Sequence, residues 1–275
     1  TQSQGSSSVA VGVKGSTVST VGNSKQITIS VQEAQSVGEK ISQQNNAISL
    51  EKGPVTITVS TKSAPTVNNG QISAEIVSIS MQSSTIPEHF AEKGLVSASF
   101  HSEMNNMPPD DAAIGFSLAE QPDTHTMAIV ENTVSEKGYG LDKVAYIAQV
   151  EKTDLKDQTY IGQSVITMSI APSWVLNHGG TSNVKIFRLA DDGTPQLLDT
   201  QFSGLDNSIN MVFTGKSPEG LSIFALISVV PQKVTVAPSS SPPVLPLRTS
   251  TTSALSVIII PPLLLFIVFL RLRRK

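Results

Sequence analysis

The sequence predicts a mainly β protein: an antiparallel β-sandwich with two or three short helices and one C-terminal transmembrane segment. Three observations carry that expectation. Apolar and polar residues alternate with period two through most of residues 25–230. Turn residues separate the alternating runs. An uncharged apolar run, Ala254 to Leu270, is followed at once by Arg271, Arg273, Arg274 and Lys275.

Residues 1–24 are rich in Ser, Thr, Gly, Val and Gln, which reads as a linker or weakly ordered lead-in. Alternation begins at Gln26–Val31 and returns at Val55–Ser60 and Glu75–Met81. It continues at Leu95–Phe100, Ala113–Leu118, Val144–Val150, Val165–Ile170 and Val184–Leu189. Leu197–Phe202, Ile209–Phe213 and Phe224–Val229 complete the set. β-branched residues on one side and Ser or Thr on the other mark half-buried strands. Many short strands with turns between them suggest a sandwich, here a surface domain over residues 25–230.

Three segments read as helix. Val31 to Gln44 has Ala34, Val37 and Ile41 at helical spacing, although Gly38 weakens it. Asp123 to Glu136 begins at a capping Asp or Thr and stops at Gly138. Ser173 to Asn177 ends at Gly179-Gly180, as one capped turn would. Asp191-Asp192-Gly193 suits a hairpin turn. With the break at Gly204–Ser208, it makes Val184–Phe213 a three-stranded meander. Phe187, Phe202, Phe213 and Phe224 fall on alternating positions as core candidates, and Trp174 is expected as a plug between the sheets.

The end of the chain has its own grammar. Residues 231–252 are a Pro/Ser/Thr stalk, extended by its prolines and composed like an acceptor of O-linked sugar. Residues 253–270 follow as a transmembrane segment, with a kink expected at Pro261-Pro262. Residues 271–275 are a basic tail that sets the C-terminus in the cytoplasm. The net charge of −3 conceals this split: five basic residues follow Arg248 inclusive, leaving 14 basic against 22 acidic residues before it, or −8. The expected localisation is the cell membrane, single-pass, with an acidic N-terminal domain outside. The first residues show neither Met nor an export signal, so a mature chain or a fragment of a longer precursor is expected.

Several function classes are disfavoured. Zero cysteine excludes disulfide scaffolds, Cys-ligated zinc, iron–sulfur clusters and thiol catalysis. An acidic head argues against nucleic acid. Gly138-Tyr139-Gly140 lacks the third glycine and the lysine of a phosphate loop, which argues against nucleotides. His89, His101, His125 and His178 form no zinc motif, and Glu88-His89 and His101-Ser102-Glu103 are the nearest metal-like pairs. Neither Ser117 nor Ser217 has the glycine spacing of a nucleophile elbow. Asp110-Asp111 reads as a solvated loop. Asp191, Asp192, Asp206 and Asn207 read as turn chemistry, without the loop motif of a calcium site. Aromatics at 5% are too few for a sugar platform to stand out. No catalytic, cofactor-binding or metal residue is assigned, and no cofactor is expected.

Six stretches come in a suggestive order. They are Val150–Leu155, Ser164–Val175, Val184–Leu189, Asp192-Gly193, Leu197–Thr200 and Ser217–Leu226. Strand, Ser-Trp, strand, turn, Leu-x-Thr strand and Gly-x-Ser-x-Phe strand follow one another. Over about residues 87–230, roughly half the chain, this resembles the PGF-pre-PGF domain of archaeal cell-surface proteins. The resemblance implies a β-rich, non-catalytic module beside a membrane or sorting tail, with no ligand residues to carry over. The Pro-Gly-Phe tripeptide that often marks such tails for processing does not precede the apolar run, so retention in the membrane is expected. The function read from the sequence is therefore a non-enzymatic, membrane-anchored cell-envelope module serving anchorage, display or structural interaction. Its partners are the lipid bilayer and cell-envelope proteins. The alternatives are an adhesin or sugar-binding surface protein, or the anchor region of a larger surface enzyme.

Overall fold

Period-two alternation over so many short runs leaves the chain little choice but antiparallel sheets, because each run must hide one face. The computed structural model describes residues 8–232. The stalk beyond Gln232, the transmembrane segment at 253–270 and the basic tail at 271–275 lie outside the described residues.

The first half contributes β1 (Val9–Ala10), β2 (Ser16–Val21), β3 (Ser24–Ser30), α1 (Val31–Ser36), β4 (Lys40–Gln44) and β5 (Ala47–Lys52). Next come β6 (Val55–Thr61), β7 (Thr66–Asn68), β8 (Gln71–Ser83), β9 (Ile86–Phe90), β10 (Gly94–Met104) and β11 (Ala113–Ala119). The second half holds α2 (Thr124–Glu136), β12 (Tyr139–Thr153), β13 (Ile161–Ile170), α3 (Pro172–Asn177) and β14 (Val184–Leu189). It ends with β15 (Pro195–Leu197), β16 (Thr200–Leu205), β17 (Met211–Ser217) and β18 (Ile223–Pro231).

These strands form two sheets. The smaller has six strands in the order β1-β11-β12-β18-β14-β15. The larger follows the path β16-β17-β13-β10-β8-β6-β5-β4, with β3, β2, β7 and β9 branching from it. The branch arises at β8, which is 13 residues long. Its first part, Gln71–Glu75, pairs with β3, and its second part, Ile76–Ser83, pairs with β6. Ile27, Ile29 and Ile72 of the branch join Ile48, Leu50, Ile57 and Val59 in one core cluster.

The small sheet packs one face on the large one. Tyr146 of β12 is fully buried there, and its hydroxyl donates to the carbonyls of Ser97 at 2.7 Å and Ser169 at 3.1 Å. Burial pushes that phenol well above its ordinary pKa. The other face of the small sheet is covered by α2, whose Val130 and Val134 meet Val144, Ile147, Phe187, Leu189, Ala225, Ile227 and Val229. The architecture is thus a sandwich with a helix laid on its smaller sheet. The Asp123 cap expected for α2 is in place: its carboxylate accepts from His125 and Thr126 N–H, both at 2.9 Å. These bonds, with the one from the Thr126 hydroxyl, hold the Asp123 carboxyl below the usual range.

Four expectations are corrected. The helix read over Val31–Gln44 ends at Ser36, because Gly38 takes φ +80° and Ile41 is used in a hairpin instead. The lead-in of residues 1–24 contains β1 and β2, and Val11 and Val13 are fully buried. The meander is two hairpins in different sheets, since β14 pairs with β15 in one and β16 with β17 in the other. The chain crosses at Leu198–Thr200: Leu198 N–H donates to Ile186 O at 2.8 Å, and Thr200 Oγ1 accepts from Ile186 N–H at 2.7 Å. Phe202, placed on β16 at the sheet edge, is 46% exposed, whereas Phe187, Phe213 and Phe224 are buried. Trp174 is buried as expected, within the helical turn α3 read at that place.

Tyr146→Phe removes the hydroxyl that joins the two sheets while keeping the ring. We expect a loss of about 1–2 kcal/mol, read as a lower urea midpoint with an unchanged slope.

Candidate functional site

Strand phase delivers charge to one end of the sandwich. On β14, Arg188 shares its face with Val184 and Ile186 and so points inward with them. Its side chain is 1% exposed. Lys152, near the end of β12, is 4% exposed. Three connections close over them: β12–β13, β14–β15 and β17–β18. Together they line an open cleft of ≈ 580 Å³ that includes Asp157, Gln158, Arg188, Asp191 and Glu219.

Asp157 is the centre of this cluster. Its Oδ2 lies 2.7 Å from Lys152 Nζ and 3.7 Å from Arg188 Nη2. Its Oδ1 accepts from Leu221 N–H at 3.3 Å. Burial pushes the Asp157 carboxyl above its ordinary value, with Lys152 acting against that shift and Asp191 adding to it. Lys152 also reaches Asp191 at 2.9 Å and donates to Leu221 O, so its three N–H groups meet three acceptors. Arg188 donates to Glu219 O at 3.0 Å, Glu219 Oε2 at 3.4 Å and Gln196 Oε1 at 3.3 Å. Its Nε is buried without a partner. Gly220 is required at this spot: a Cβ there would stand 2.2 Å from Asp157 Oδ1, and the residue has φ +100°. Chemically the arrangement is a clamp in which each carboxylate is engaged by a cation.

A second cleft, of ≈ 310 Å³, is lined by Lys93, Lys143, Trp174 and His178 among others. His178 Nδ1 lies 2.6 Å from Asp142 Oδ2, and its ring sits 4.5 Å from that of Trp174. The His178 bond, aided by Ser228, holds the Asp142 carboxyl below the usual range. Ser228 Oγ is 2.9 Å from the same carboxylate oxygen. These are the residue types of a hydrolase triad in the wrong order, because the serine meets the carboxylate and not the imidazole. Ser228 is fully buried as well. The trio fastens the end of α3 to β12 and β18.

The residues singled out in the sequence do not converge. His89, His101 and His125 are exposed, on β9, β10 and α2. His89 stands opposite Leu95, six positions along β10 from His101, or roughly 20 Å at strand rise. Among the described residues, no group of three His, Cys, Asp or Glu is placed to hold a metal ion. Asp110 and Asp111 are exposed. Asp192 Oδ1 accepts from Thr194 N–H at 2.9 Å, and Asp206 Oδ1 accepts from Ser208 and Asn210 N–H, so both serve turns. Ser217 is buried and donates to Gly220 O at 2.6 Å. Sequence reasoning missed Lys152, Asp157, Arg188 and Glu219, which lie far apart along the chain. The usable signal was Arg188 in phase with Val184 and Ile186.

No family model, no curated protein and no solved structure matches the chain. The roles of these residues therefore rest on their geometry. Arg188→Met keeps the volume and removes the cation. We expect a loss of about 2–3 kcal/mol, less than for a fully buried pair, because Glu219 is 54% exposed. Without Arg188 the Asp157 carboxyl binds its proton more tightly in the folded state. The penalty should therefore grow as pH rises from acid to neutral, and parallel urea titrations at the two pH values measure it.

Proposed function

We propose that the chain is a non-enzymatic, membrane-anchored module of the cell surface, with the sandwich displayed outside and the basic tip in the cytoplasm. The observation that carries this reading is the order of three segments: a Pro/Ser/Thr stalk, an uncharged apolar run and, directly after it, four cationic residues. Ala254 to Leu270 is 17 residues, about 25 Å as helix, against a hydrocarbon core of about 30 Å. Flanking arginines that reach the headgroups offset a mismatch of this size in general. The charge split, 15 basic against 22 acidic residues before the apolar run and four positive charges after it, fits the two sides of a membrane.

Membership of the archaeal PGF-pre-PGF group is part of the same proposal. Its support is the order of the stretches from Val150 to Leu226, which fall along β12 to β18. The bilayer is the first partner, and neighbouring envelope proteins are the second. The charged clusters support a holding role, since Asp157, Asp191, Glu219 and Asp142 are engaged by Lys152, Arg188 and His178.

Deleting Ser253–Lys275 should move the protein from the membrane pellet to the soluble fraction. The full chain should stay in the pellet after a high-salt wash. A truncated chain that still pellets would sink the anchor.

A further inference from the structure

A different pair of buried charges behaves unlike the clamp. Glu39 lies just before β4, and Lys52 ends β5. The hairpin register pairs Lys40 with Glu51, which sets Glu39 and Lys52 face to face at the next step. Their side chains are 5% and 4% exposed. Lys52 Nζ touches Glu39 Oε1 and donates to Gly12 O. Glu39 Oε2 is buried without any partner. Where Lys152 has three acceptors for three N–H groups, Lys52 has two among the described residues. As an ion pair this site therefore leaves both partners incompletely satisfied in a desolvated place, which is where a charged pair loses its advantage over a neutral one.

An ammonium and a carboxylate in contact become an amine and an acid by one proton transfer along the bond they share. Held together by the hairpin, these two groups then have the very high effective concentration of an intramolecular reaction. We propose that Lys52 and Glu39 condense into an isopeptide bond between Nζ and Cδ. The Nζ lone pair adds to Cδ and the new N–C bond forms. One C–O bond of the carboxyl breaks, and its oxygen leaves as water with the hydroxyl proton and one proton from Nζ. No oxidant or further reactant is consumed. The cleft of ≈ 310 Å³ lined by Gly12, Gly38, Glu39, Lys52 and Gly53 gives that water a way out. The remaining amide N–H keeps the bond to Gly12 O, and a neutral carbonyl replaces the anion with its orphaned oxygen. In a chain without cysteine, the product is a covalent brace across the β4–β5 hairpin.

The full chain, purified in detergent and held at neutral pH, tests this by intact mass. The expected mass is that of the sequence less one water. Trypsin should then yield a branched product, Gln26–Lys40 joined to Ile41–Lys62 and uncut after Lys52. Lys52→Arg keeps a cation at the position and cannot form this bond with Glu39, so its mass should equal that of its own sequence. An intact mass equal to the unmodified sequence after prolonged incubation overturns the proposal. So does ready cleavage after Lys52, or a Lys52→Arg protein that is also one water light.

Discussion

The central strands of the six-stranded sheet have no solvent face to spare. The larger sheet covers one side and α2 the other, so β14, β18 and the middle of β12 are buried on both faces. Phe224 to Val229 accordingly reads almost without a break as apolar, where a half-buried strand would alternate. The Tyr146 hydroxyl is tolerated in that setting because two carbonyls of the opposite sheet receive it. Polar residues of β12 and β14 that cannot be matched this way are pushed toward the strand ends. Lys152 and Arg188 sit there, and the loops that close over them are the ones that carry Asp157, Asp191 and Glu219.

This double burial explains which parts of the fold were legible in the sequence. Strands with one wet face announced themselves by alternation, as Val55–Thr61 does with its strict buried and half-buried pattern. The Asp123 cap and the Asp-Gly turn at Gly193, with φ +83°, are local chemistry and could be read directly. What stayed hidden depends on contacts distant in sequence. Nothing local tells Leu197 and Thr200 that they belong to different sheets, because the crossover is fixed by Ile186, which bonds to both Leu198 and Thr200. Likewise Ile41 suits a helix until Leu50 of the neighbouring strand claims it.

The charged cluster was hidden for a related reason. Its members come from β12, β14 and three loops, and no spacing rule joins position 152 to 157, 188 and 219. Lys152 places its three N–H groups on three acceptors, and Asp157 accepts on both oxygens. Burial still lifts the Asp157 carboxyl, so Lys152 only partly offsets the loss of water. That balance is the familiar one for buried ions, which fix a geometry more than they add stability.

The N-terminal strap shows the same logic carried to the edge of the small sheet. β11 would present an open edge, and β1 covers it by pairing Val9 with Ile114 and Ala10 with Ala113. The strap then dives: Val11 and Val13 are fully buried on either side of Gly12. Gly12 passes so near the β10–β11 loop that a Cβ would stand 2.3 Å from Pro109 O. Its own carbonyl meets Lys52 on the β4–β5 hairpin. One short segment thus ties the edge of the small sheet to the far end of the large one. Its Ser/Thr/Gly/Val composition reads as a linker only because an edge-covering strand and a flexible spacer draw on the same small and β-branched residues; the buried pair Val11 and Val13, two positions apart, is what distinguishes them.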